Sequence, residues 1–214
     1  CVAIDHQRGS FQLDKPGRWI QQRKYAGSMI AEGAIHPIDT LMTFGGAASE
    51  VYAAGAKALE AYDYEQIAYI SVKFKSGAIG HLFFTILGGL SLSTTRVVGT
   101  KAAVYMLRGR TPQGPISSFT IRDHMQPAKE AAKPIEVESR GKDRQDIFQA
   151  FIQAVLRDRT PPVPGEDGRR NVEIALAADQ SIQTGQVVKL PLTKTPDFIT
   201  QALAPPDQPY ITKP

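Results

Sequence analysis

Ile67-Ala-Tyr-Ile-Ser-Val-Lys-Phe-Lys-Ser-Gly-Ala-Ile-Gly-His-Leu-Phe-Phe-Thr-Ile-Leu87 is the stretch that decides the fold class. Up to Lys75 it alternates with a period of two: Ala68, Ile70, Val72 and Phe74 face one way, while the other face turns polar at Ser71, Lys73 and Lys75. Side chains of a strand point alternately to opposite faces, so this pattern is a half-buried strand. Ser76-Gly77 supplies a short turn, and His81 to Leu87 returns as a second strand. That second strand is apolar on both faces, which predicts a sheet covered on both sides at this point.

Working outward, Leu90 to Val98 and Ala102 to Leu107, joined by Gly99-Thr-Lys101, predict a second hairpin. Ser117 to Asp123 and Ile135 to Ser139 add weaker strands, with loops over 111–115 and 126–134. Ile147, Phe148, Phe151, Ile152, Val155 and Leu156 form one apolar stripe at helical spacing, with Asp143 as N-cap and Pro161 as terminator. A last helix runs from about Gly168 to Thr184, with Val172, Ala175, Leu176 and Ala178 inward and Gly185 as C-cap. Val187 to Leu190 is a short strand. Upstream, Cys1 to Asp5 is a strand, and the lone Trp19 reads as a packing residue in preference to a substrate-facing ring. Ile38, Leu41, Met42 and Phe44, ending at Gly45-Gly46, predict a helix beginning near Pro37, with Ser28 to Gly33 as an extended or turning lead-in. Periodicity leaves residues 49–60 undecided between helix and strand. The sum is α+β: a largely antiparallel open sheet, helices packed on one face, and the other face available for oligomerisation. The domain spans 1–192, and the Pro-rich 193–214 is an extended tail.

Composition narrows the function classes. The 214 residues carry a formal charge of +4 with basic and acidic residues interleaved, so no basic stripe points to nucleic acid. A single cysteine excludes an internal disulfide and a multi-cysteine metal site. No apolar run approaches the roughly 20 residues needed to span a bilayer, and the expected setting is cytoplasmic. The chain opens at Cys-Val-Ala-Ile without Met, which suggests a fragment of a longer protein.

The candidate chemistry sits in Glu32-Gly-Ala-Ile-His36-Pro-Ile-Asp39, where two carboxylates and an imidazole fall within eight residues at a helix start. Spacing alone supports three readings. The cluster is structural, capping and packing a helix end. It is a metal site, although no HExxH pattern or cysteine ligand accompanies it. Or it performs acid/base work, with His36 titrating near neutrality and Glu32 or Asp39 fixing its tautomer.

Ala26-Gly-Ser-Met-Ile-Ala-Glu32-Gly-Ala-Ile-His36-Pro-Ile-Asp39-Thr-Leu resembles the G-x-L-x-D-x-G-x-H-x-x-D-x-L signature of the Gfo/Idh/MocA oxidoreductases (glucose-fructose oxidoreductase, inositol dehydrogenase and rhizopine catabolism). Asp63 followed by 68–82 is similar to that family's hairpin, Arg96 to Val104 to its R-x-x-x-G-T-x-G turn, and 146–185 to its C-terminal helices. The resemblance makes residues 50–57 a strand. It also implies that an N-terminal dinucleotide-binding domain, with its G-x-G-x-x-G loop and an E-K-P lysine, lies outside this chain.

What the resemblance implies is the substrate-binding and oligomerisation half of an enzyme that uses NAD or NADP, inactive by itself, acting on a sugar or polyol hydroxyl. Hydride passes to the nicotinamide and the hydroxyl proton to His36. Glu32 stands where the family has aspartate, as partner of His36 or as a direct substrate contact. Asp39, Lys24, Tyr25 and Arg96 are candidate substrate contacts, with a helix-start charge facing the dipole as the competing account for Asp39 and solvated loop positions for the other three; Asp63 is structural. The implied partners are a small-molecule substrate and further copies of the same chain, with neither nucleic acid nor membrane and no metal. A non-catalytic binding or scaffold module on the same fold is the alternative.

Overall fold

The computed structural model describes residues 1–9, 17–127, 129–136, 143–194 and 196, with side-chain surroundings omitted for 143–145. The predicted tail falls almost wholly outside these residues.

A nine-stranded sheet forms the body of the domain. Its strands are β1 (Val2–Gln7), β2 (Ala48–Ala56), β3 (Ile67–Phe74), β4 (Ile79–Thr85), β5 (Ser91–Val98), β6 (Ala102–Thr111), β7 (Gly114–Asp123), β8 (Lys133–Pro134) and β9 (Val188–Lys189). The order is β8-β7-β6-β5-β1-β4-β3-β2-β9. Every pairing is antiparallel except β1 with β4. β3 and β4 are the expected hairpin, and 50–57 is indeed strand, as β2. The late strand lies at Lys133–Pro134, pairing with Ile121 and Thr120, rather than starting at Ile135. Its predicted end, 137–139, lies outside the described residues.

Two helices cover the inner face. Val2 and Ile4 of β1, Leu82 and Phe84 of β4, Ile70 and Val72 of β3, and Val51 and Ala53 of β2 share that face and are buried. Over them lie α3 (Ile35–Gly45), through Ile38 and Leu41, and α5 (Gly165–Thr184), through Ile174, Ala175 and Ala178. Burying a Leu or Ile side chain stabilises by about 1.5–3 kcal/mol, so this apolar layer supplies the fold's main driving force. The opposite, outer face shows Tyr52, Tyr69, Ile79 and Tyr105, all partly exposed.

Five expectations are corrected. Ser28 to Gly33 is a helix rather than an extended or turning entry: Ser28 caps α2 (Met29–Gly33), its Oγ accepting the Ala31 N–H at 3.1 Å. It follows the short α1 (Arg23–Ala26). α3 starts at Ile35, two residues before Pro37, which still lies in the first turn, where a missing N–H leaves no intrahelical bond unmade. Trp19 is 56% exposed, and the 3-10 turn Trp19–Gln21 buries Ile20 and Gln21 instead. Val172 faces out; α5 turns Asn171, Asp179 and Ser181 inward beside its alanines, each with a specific partner. Finally, the stripe of α4 (Asp143–Leu156), from Ile147 to Leu156, is 51–73% exposed, and Ala154 is the buried position. Periodicity defines a helix face but not what that face meets.

Candidate active site at the start of α3

α2 and α3 meet at Ala34, so the chain from Ser28 to Asp39 forms two helical turns pressed onto the central strands. Gly33 sits at the tightest point. A Cβ there would lie 2.8 Å from Phe84 Cζ and 3.2 Å from Arg8 Nη1, so only glycine lets α2 approach β4 this closely. Ser28 fixes the other end, donating its hydroxyl to Asp179 Oδ2 at 2.6 Å. Asp179 is almost fully buried, with Arg23 Nη1 3.9 Å away. Burial pushes its carboxyl up to about 7, against the opposing effects of the Ser28 hydrogen bond and Arg23.

From this platform His36 projects, exposed, to the rim of a cavity of about 430 Å³. His6, Arg8, Thr40, Ser93 and Arg108 line the cavity with it. Strand alternation explains the gathering: His6 follows Val2 and Ile4 on the inner face of β1, pairs with Ser93 of β5, and Ser93 pairs with Arg108 of β6. The His6 imidazole stacks on Phe84 at 5.7 Å between centroids, 5° from parallel. Burial first, then the charges of Arg8 and His36, hold its pKa below the ordinary histidine range; Asp5 acts weakly the other way.

The structure directs Glu32 to Arg8 rather than to His36. Glu32 Oε2 lies 3.6 Å from Arg8 Nη1, is itself buried, and makes no hydrogen bond. The carboxylate stands behind the cavity wall and fixes the guanidinium that lines it. Asp39 is exposed one turn beyond His36, and its Oδ1 accepts a 2.7 Å hydrogen bond from Asn171 Nδ2, tying α3 to α5. It lines a different cavity, between α3 and Pro162–Asn171. Lys24 and Tyr25 are exposed on α1, the ammonium 5.7 Å from the ring centroid, and neither lines the His36 cavity. Arg96 belongs to the outer face, in register with Ala3 and Tyr105. There it lines a concavity of about 590 Å³ with Tyr69, His81, Phe83 and Tyr105. Burial and then Arg96 lower the His81 pKa. The structure thus brings His36 together with His6, Arg8 and Arg108, which sequence reasoning missed, and leaves Asp39, Lys24, Tyr25 and Arg96 elsewhere. Asp63 is structural: its Oδ1 accepts the Arg23 N–H at 2.6 Å, at the start of α1.

No described residues fit the pyrophosphate of a dinucleotide, which needs a glycine loop opening a helix after a strand. Gly45-Gly46 ends α3, and a Cβ on Gly45 would meet the Phe74 ring at 2.2 Å. Gly88-Gly89 joins β4 to β5 with no helix after it. Among the described residues no group of three His, Cys, Asp or Glu is placed to hold a metal ion, and no helix is long and apolar enough to cross a membrane.

The model of the Gfo/Idh/MocA oxidoreductase family's C-terminal alpha/beta domain matches residues 1–190. No curated protein matches the chain. Among solved structures, a putative NADPH-dependent oxidoreductase from Desulfitobacterium hafniense aligns at TM-score 0.75 and 19% identity, covering 88% of this chain and 55% of that one. A levoglucosan dehydrogenase in complex with NADH and L-sorbose aligns at TM-score 0.67 and 17% identity, over 89% and 58%. The WlbA dehydrogenase from Bordetella pertussis, in complex with NADH and UDP-GlcNAcA, aligns at TM-score 0.65 and 19% identity, over 89% and 54%. The chain spans little more than half the length of these proteins, and at such identity the likeness is one of fold.

Proposed function

The chain belongs to the Gfo/Idh/MocA oxidoreductase family as its C-terminal α/β domain, and from that premise we propose that it forms the substrate-facing half of an NAD- or NADP-dependent oxidoreductase acting on a hydroxyl of a sugar, polyol or related compound. The observation that carries this reading is the exposed His36 imidazole at the rim of a cavity whose polar lining is made of hydroxyls, the His6 imidazole, the Gln7 amide and guanidinium groups, beside Ile4, Pro37 and Leu92. Two solved relatives of this fold hold L-sorbose and UDP-GlcNAcA, both bearing sugar hydroxyls. The nicotinamide supplies the hydride acceptor and is held by a domain outside this chain, so the chain alone does not turn over.

The division of labour within the chain follows from its geometry. His36 accepts the proton of the reacting hydroxyl, or hydrogen-bonds the oxygen as charge develops on it. Arg8, held by Glu32, and the Ser93 and Thr40 hydroxyls position the neighbouring hydroxyls of the substrate. On the outer face, Tyr69, Phe83 and Tyr105 form an apolar concavity suited to a second copy of the chain, which gives a homodimer or homotetramer built through the sheet. The setting is cytoplasmic.

The test is His36→Ala in the full-length protein, assayed by nicotinamide reduction across sugars and polyols. A positioned acid/base group contributes about 10²–10⁴-fold, so kcat is expected to fall by that factor with the thermal midpoint unchanged. Retention of kcat within threefold would refute the assignment.

A further inference from the structure

Arg8, Arg108 and Arg110 line the His36 cavity together with two imidazoles, and among the described residues no Asp or Glu lines it. Glu32, behind the wall, engages Arg8. Arg108 and Arg110 make no ion pair among the described residues; Arg108 instead lies over the Phe119 ring, 5.0 Å from its centroid. Guanidinium groups stay charged at all working pH, so among the described residues this wall is cationic and short of counter-charge. Mutual repulsion of like charges around one concavity is relieved by an anion seated between them. Hydroxyl recognition needs no such arrangement: Ser91, Ser93, Thr40 and Thr95, which also line the cavity, supply neutral partners for a sugar.

We infer that the substrate of this site is a polyhydroxylated compound bearing an anionic group, a carboxylate or a phosphate, bound by Arg108 and Arg110 while its reacting hydroxyl faces His36. The register sets the reach. His6, Ser93 and Arg108 occupy one row across β1, β5 and β6, so Arg108 stands two strand spacings, about 9.6 Å, from the strand beneath His36. Arg110 lies in the row of Ser91, at the start of β5. A five- or six-carbon chain with a terminal anion bridges that span, with its middle hydroxyls over Ser93. The planar fork of arginine matches both carboxylate and phosphate oxygens, and a paired arginine site discriminates strongly against a neutral analogue.

This inference rests on the reading of His36 as the proton-accepting group, and the experiment separates the two. Full-length protein is titrated by calorimetry with gluconate, glucose 6-phosphate and neutral sorbitol, for wild type, the double variant Arg108→Gln/Arg110→Gln, and His36→Ala. At least one anionic probe is expected to bind tenfold or more tighter than sorbitol, and gluconate against the phosphate tells which anion the site takes. The double variant is expected to lose that tenfold advantage while sorbitol binding stays within threefold. Arg108→Lys/Arg110→Lys, which keeps the charge, recovers part of it. His36→Ala is expected to keep the anion preference while losing turnover. Equal binding of neutral and anionic probes, failure of every anion to bind, or a preference that survives the double glutamine variant overturns the inference. Full turnover by His36→Ala overturns the catalytic reading alone.

Discussion

Asp179→Asn tests the platform on which the candidate site is built. Asp179 is 2% exposed on α5 and accepts the Ser28 hydroxyl at 2.6 Å, while Ser28 caps the helix that carries Glu32. Its carboxyl is raised from 3.8 to about 7 because burial disfavours the charged form more than Ser28 and Arg23 favour it. The folded value lies above the unfolded one, so between these values the folded chain keeps a proton that the unfolded chain has released. The stabilisation from this group is complete below about pH 4 and is lost as pH rises through about 7. At 1.36 kcal/mol per unit, a rise of this size makes the loss roughly 4 kcal/mol. Asparagine preserves an oxygen acceptor for Ser28 and has no proton to lose. Urea unfolding at pH 4.5, 6, 7 and 8 is therefore expected to show wild type and variant close together at the acid end. The variant gains over wild type as pH rises, approaching the roughly 4 kcal/mol limit by pH 8. A difference between the two that stays constant across this range would refute the assignment of a buried, proton-retaining Asp179.

Two further substitutions probe neighbouring contacts. Gly33→Ala places a Cβ 2.8 Å from the Phe84 ring, and overpacking of this kind costs about 1–3 kcal/mol; chemical denaturation checks it, and an unchanged stability would mean that α2 does not press on β4 as described. Asn171→Ala removes the 2.7 Å hydrogen bond to Asp39 and is expected to cost about 1–3 kcal/mol, since the hydrogen bond is to a charged group, with KM and kcat of the full-length protein unchanged. A selective rise in KM would return Asp39 to the substrate.

The hairpin 67–87 was legible because strand alternation is local: each residue's face follows from its neighbours, and both faces of β3 came out as expected. The helix after His36 was legible for the same reason, but its true start was not. Ser28 begins α2 because its side chain both caps the helix and reaches Asp179, 151 residues away, and no local pattern contains that partner. The phase of α5 shows the same limit. Val172 was expected inward on hydropathy, yet Asn171, Asp179 and Ser181 take the inner positions because Asp39, Ser28 and Ala53 wait for them there. In α4 the stripe was read correctly as a helix face, but nothing in its spacing told that it would stand exposed.

At the site, the sequence by itself determined that His36 opens a helix, that Gly33 precedes it, and that the motif around them resembles an oxidoreductase signature. It did so because helix starts and close-packing glycines are written in adjacent residues. Only the tertiary structure decided the company His36 keeps. The parallel pairing of β1 with β4 puts His6 and Arg8 beneath α3, the β1–β5–β6 register brings Arg108 into the same row, and Glu32 turns to Arg8. Those neighbours come from strands dozens of residues apart. Which strand lies beside which is settled by global packing of the sheet against α3 and α5, and that is why a charge distribution invisible along the chain appears once it folds.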